Sequence, residues 1–148
     1  MGRSHAISEY FTEKERNSGM KLDTQIYALR YPLAVVGFGG RPLHWWTFFL
    51  KKNFYHCIVA LGDGFNWVVI DPLLHYTDLL ILKGVDVAQC FHEKGYQTVW
   101  VKPQIPLFKK TFLRPSTCVE TVCRFLGIQH PFIWTPYQLY HFLLKKGK

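Results

Sequence analysis

Residues 115–127 read PSTCVETVCRFLG, and the frame of this stretch organises the reading of the whole chain. Pro115 cannot continue a preceding helix. Ser116 and Thr117 are both favourable N-caps, and Glu120, three residues after Thr117, completes a capping box. Cys118 is then the first residue of a helix. Val119, Val122, Phe125 and Leu126 give that helix an apolar face, and Gly127 ends it. A thiol at a helix N-terminus meets unpaired N–H groups and the positive end of the helix dipole, which favour thiolate. The same N–H groups suit an oxyanion. Against this stands the ordinary role of cysteine as a small buried packing residue.

The chain has 148 residues, 49% of them apolar and 17% aromatic, which fits a single globular domain and excludes a disordered chain. No apolar run is long enough to span a bilayer, and the N-terminus lacks a signal-peptide pattern. The expectation is a soluble protein that is not exported through a cleavable signal of its own. The formal charge is +8, and residues 75–148 carry ten Lys/Arg against four Asp/Glu. These lysines are scattered and accompany no binding motif, so specific nucleic-acid binding is not expected. Cys57, Cys90, Cys118 and Cys123 follow no zinc spacing, and reduced thiols are the default.

Residues 1–24 are polar and read as an N-terminal arm or surface helix; residues 25–148 read as the folded domain. From Ile26 to Gly37 the pattern is extended, and Gly37-Phe38-Gly39-Gly40 reads as a tight turn. Leu43 to Lys52 reads as a strand or a short helix whose aromatic residues belong to the core. Phe54 to Leu61 and Phe65 to Asp71 form a hairpin about Gly62-Asp63-Gly64. His75 to Leu82 reads as a short helix or loop. Asp86 to Lys94 reads as a helix with Cys90 and Phe91 inward, and Tyr96 to Lys102 as a third strand. Pro103 to Pro115 is a connector whose apolar residues are placed to cover a groove. Thr135-Pro136-Tyr137-Gln138 opens a terminal helix with Leu139, Phe142 and Leu143 inward. The sum is an α+β fold, a small antiparallel sheet packed with helices.

Cys118 needs a base. His56 lies mid-strand in apolar surroundings, where an imidazole without a partner is costly. His44 and His75 are alternatives; His5, His92, His130 and His141 look peripheral. A third group would orient the histidine. Asp71 is the first choice, with Asn66 and Gln97 as alternatives. A turn centred near Asp63 sets Ile70 or its neighbours opposite His56, and a one-residue slip moves Asp71 to the other face. Cys57 follows His56 and should point away from the site; Cys123 should be core.

A strand histidine that precedes a helix-N-terminal cysteine, with VGFGGRPLHWW, FYHCIVALGDGFNWVVIDP, STCVETVCRFLGI and TPYQLYHFL, resembles the circularly permuted NlpC-like papain-fold cysteine hydrolases. The likeness covers about residues 34–144 and is narrowest to small members common in bacteriophages and prophage-like clusters. It implies Cys118 as nucleophile, His56 as base and Asp71 as third member, with no cofactor or metal. It implies hydrolysis of an amide or thioester-like acyl bond, peptidoglycan peptide being the commonest substrate. The acyltransferase branch carries Asn-Cys-Glu-His where this chain has Thr-Cys-Val-Glu, which weakens that reading. In a phage setting the protein would be a tail or tail–capsid component, digesting wall or serving as structure with virion proteins as partners. Trp45, Trp46, Phe48 and Phe49 would suit such assembly if exposed.

Overall fold

The computed structural model describes residues 32–42, 45–73, 75–104 and 117–147. The 1–24 arm, the extended reading before residue 32, His5, His44, Pro115, Ser116 and most of the 103–115 connector lie outside these residues. The described elements are β1 (Leu33–Gly39), a 3-10 turn (Trp45–Phe49), β2 (His56–Gly62), β3 (Asn66–Pro72), β4 (Thr77–Lys83), α1 (Val87–Glu93), β5 (Gln97–Val101), α2 (Cys118–Leu126) and α3 (Pro136–Lys146). The strands form one antiparallel sheet in the order β4-β3-β2-β1-β5. The α+β expectation holds at this level.

Strand alternation divides the core in two. Ala34, Val36, Phe38, Cys57, Val59, Leu61 and Ile70 face α2 and α3, meeting Val119, Val122, Leu126, Leu139 and Leu143. Val35, Ile58, Ala60, Trp67 and Val69 face α1, meeting Val87, Ala88 and Phe91. Covered on both faces, β1 and β2 are apolar at nearly every position.

Four expectations are corrected here. Gly37, Phe38 and Gly39 are strand residues, not a turn. A Cβ on Gly37 would come within 3.0 Å of Phe91, and one on Gly39 within 3.0 Å of Tyr96. These glycines admit side chains to the sheet, and only Gly40, at φ +89°, leaves the strand. Residues 77–83 form β4 rather than a helix or loop. As the sheet edge it is exposed along most of its length, so its sequence lacks alternation. The 45–49 turn is not core, since Trp45, Phe48 and Phe49 are 81%, 67% and 76% exposed. In α1, Phe91 is buried but Cys90 only half-buried.

Candidate active site

α2 begins as its sequence dictates. Thr117 is extended, and its hydroxyl accepts the Glu120 N–H at 3.2 Å. The Glu120 carboxylate, expected to close a capping box on Thr117, instead accepts from Arg124 Nε at 3.0 Å, one turn on, so only the Thr117 half of the box is present. The helix ends in a Schellman motif: Gly127 is left-handed at φ 68°, and the Ile128 N–H reaches the Cys123 carbonyl at 2.8 Å. The Gln104 N–H donates to the Leu126 carbonyl at 2.9 Å. That bond ties the last turn of α2 to the chain leaving β5. With Val119, Val122 and Leu126 buried chiefly on β2, both ends and one face of the helix are fixed, and with them Cys118.

His56 opens β2 and Asp71 lies near the end of β3. The hairpin pairs Val59 with Ile70 and Gly62 with Trp67. This register is three residues from the expected one, because the Asp63 carboxylate captures the N–H groups of Phe65 (2.8 Å) and Asn66 (2.7 Å) and lengthens the loop. The same contacts pull the exposed Asp63 carboxyl down to about 2, the Asn66 amide being the main cause. Three is odd, so the difference turns Asp71 onto the face of His56. His56 Nε2 and Asp71 Oδ1 are 2.6 Å apart, with the His56 side chain 20% exposed and that of Asp71 35%. Asp78 stands opposite Asp71 on β4.

With Nε2 held by Asp71, the other ring nitrogen is free of that bond, and the Cys118 thiol is among the groups that act on the ring. Burial works to lower the His56 pKa. The hydrogen bonds to Asp71 and then to Cys118, with the charges of both, outweigh it and lift it to about 9. Cys118 is held down at about 5. A hydrogen bond from the Cys57 thiol is the largest cause; burial opposes it, and the hydrogen bond and positive charge of His56 and the Cys57 main chain add to it. The two shifts run in opposite directions, and both favour the thiolate–imidazolium form of the pair.

The structure therefore brings together Cys118, His56 and Asp71. His75 is exposed, His92 bonds Thr98 at 2.9 Å, and the rings of His130 and His141 pack on Phe142 and Tyr137. Asn66 is engaged by Asp63 in the loop at the far end of β3, and Gln97 is exposed on β5. Cys123 is buried in the core as expected. Cys57 lies on the opposite face of β2 from His56, as expected, and is buried in the cluster against which Cys118 packs; its thiol is the first cause of the lowered Cys118 pKa. Alternation gave its face correctly; what the sequence lacked was the position of α2 on that face. Among the described residues no group of three or more His, Cys, Asp or Glu is placed to hold a metal ion, and no helix is long and apolar enough to cross a membrane. Comparison with protein families, curated proteins and solved structures found no match.

Proposed function

We propose that the protein is a thiol hydrolase of the peptidase or amidase kind, with Cys118 as nucleophile, His56 as base and then acid, and Asp71 as the group that orients His56. One observation carries this reading: the His56 ring is held by the Asp71 carboxylate at 2.6 Å, and the same ring is coupled to the thiol of Cys118 at the first position of a helix. An antiparallel sheet with a cysteine-bearing helix after the histidine strand also suits a permuted papain-like arrangement.

The chemistry follows from the geometry. The Cys118 thiolate attacks an acyl carbon, and the carbonyl π electrons move to oxygen. The Cys118 N–H, at the first helical position, has no acceptor within the helix and is available to that oxyanion. Collapse of the adduct breaks the bond to the leaving group, which takes its proton from His56. Neutral His56 then accepts a proton from water as the water attacks the thioester. Acid is released, and the thiolate–imidazolium pair is restored. Peptidoglycan peptide is the first substrate class to examine, by the resemblance of the sequence motifs.

A second reading, a phage-particle assembly protein, draws on the exposed Trp45, Phe48 and Phe49. The test is acyl transfer itself. With p-nitrophenyl acetate the parent should release a burst of about one equivalent of p-nitrophenolate and carry acetyl on Cys118. Cys118→Ser should give no burst, and His56→Ala should acylate about 100-fold more slowly. Acetyl spread evenly over the four cysteines, or no burst, would overturn the hydrolase reading in favour of the assembly one.

A further inference from the structure

We propose that β4 is a pairing edge for a second copy of this chain: the copy adds its own β4 antiparallel to it, about a twofold axis at Leu80, and joins two sheets into one. The inference is independent of the hydrolase reading and concerns a part of the fold that the mechanism does not use.

β4 ends the sheet, and among the described residues no main chain bonds to its outer side. Sheet edges are commonly blunted by short length, proline, a bulge or a covering element. β4 runs for seven residues, TDLLILK, without proline or glycine, and pairs with β3 in unbroken register from Thr77 to Lys83. Leu79, Leu80 and Ile81 are 68%, 52% and 68% exposed. The opposite edge differs. β5 has five residues, is followed by Lys102-Pro103, and packs with α1 and α3. Each copy thus offers one open edge, which closes an assembly at two chains.

The register points to the occupant. The Gly84 N–H donates to the Phe65 carbonyl at 2.8 Å, and the Leu73 N–H donates to the Tyr76 carbonyl at 2.9 Å. Carried along the β3–β4 register, these bonds turn the main-chain groups of Asp78, Leu80 and Leu82 towards β3. Those of Thr77, Leu79, Ile81 and Lys83 point outward, and these outward residues are symmetric about Leu80. An antiparallel copy centred there matches Leu79 with the second copy's Ile81, and Thr77 with its Lys83; each such pair exchanges both main-chain bonds. Leu80 meets its own counterpart, so apolar side chains stand beside apolar ones on both faces. Asp78 faces Leu82, and the acidic end of each strand runs beside the basic end of the other. A parallel copy would set Asp78 beside Asp78 and Lys83 beside Lys83. Symmetry of bonding, apolarity and charge about one residue is what a second copy of the same strand requires.

The sheet is complete within one chain, so pairing adds to the fold without being required by it. Sedimentation velocity of the full chain over about 1–100 µM tests the inference. The parent's mass should rise from one chain towards two and no further. Ile81→Pro removes an outward N–H and no bond to β3, a place where proline is tolerated. Leu79→Lys combined with Ile81→Lys sets like charges opposite each other and keeps every bond to β3. Both variants should stay single chains over the same range, with thermal melts of dilute protein showing that they are folded. Under mild oxidation Leu80→Cys should give a dimer linked through position 80, identified by peptide mass spectrometry. Leu79→Cys should not, because position 79 is offset along the strand from its own counterpart. A parent that stays single at the highest concentration overturns the inference. A dimer that persists in the folded double-lysine variant, growth beyond two chains, or equal linkage through positions 79 and 80 also overturns it. Each of these outcomes leaves the Cys118–His56 pair untouched.

Discussion

At the scale of single residues, His56 carries the most distinctive electrostatics. Asp71→Asn keeps a side chain of the same shape but removes the charge at Nε2. The His56 pKa should then fall from about 9 towards its ordinary value, followed by the ring-proton chemical shift in NMR. The rate of Cys118 acylation should form a plateau bounded near pH 5 and pH 9 in the parent, and the upper limb should move to lower pH in Asp71→Asn. Stability follows the same groups. His56 is raised above its unfolded value of 6.5, so its contribution is complete below that pH and is lost as pH rises through about 9. Cys118 is lowered from 9.0, so its contribution is complete above that pH and is lost as pH falls through about 5. Comparing parent and Cys118→Ala in urea at pH 8 and pH 4 measures the second effect: the parent's advantage should shrink at pH 4. The candidacies of Cys118, His56 and Asp71 were legible because each residue type sat at a place with local meaning, a cap, an apolar strand and a strand end. The face of Asp71 was not legible. It depends on two N–H groups captured by Asp63, a side-chain choice that propagates down the hairpin.

At the scale of elements, α2 sets the position of the nucleophile. Thr117→Ala removes the N-cap and should cost about 1 kcal/mol, read as a lower urea midpoint with unchanged slope. Gly127→Ala should cost more. A side chain at φ 68° is strained, and its Cβ would run into the main chain of Gln104. The same variant should lower Cys118 reactivity, because the collision lies where the helix is tied to the chain leaving β5. Both ends of α2 and the start of α3 could be read from the sequence, since capping chemistry is local: Thr135 and Gln138 form the expected reciprocal box. The glycines of β1 and the strand character of β4 could not. Glycine signals a turn only where nothing packs on it, and Phe91 and Tyr96 are remote in sequence from Gly37 and Gly39. A strand open to solvent on both faces carries no period to detect.

At the scale of the whole molecule, the sheet divides two cores, and stability is concentrated under α2 and α3. Leu139 is fully buried there, whereas Leu79 on β4 is 68% exposed. Leu139→Ala should cost about 2–5 kcal/mol and Leu79→Ala about 0.5 kcal/mol or less, a contrast that chemical denaturation resolves directly. This architecture sets the His56–Asp71 pair, which grows from the sheet, against the cysteine of a helix docked chiefly on β2. Sheet and helix must therefore dock before the site exists.

The central claim, that Cys118 and His56 form a thiolate–imidazolium pair near neutral pH, is tested most directly by the alkylation rate of Cys118 across pH in the parent and in His56→Ala. Cys57, Cys90 and Cys123 serve as internal controls by peptide mass spectrometry. The account predicts that Cys118 reacts selectively, with a midpoint far below the ordinary thiol value of about 8.5, and that His56→Ala moves this midpoint upward. A Cys118 that reacts no faster than Cys90, with a midpoint indifferent to His56, would contradict it.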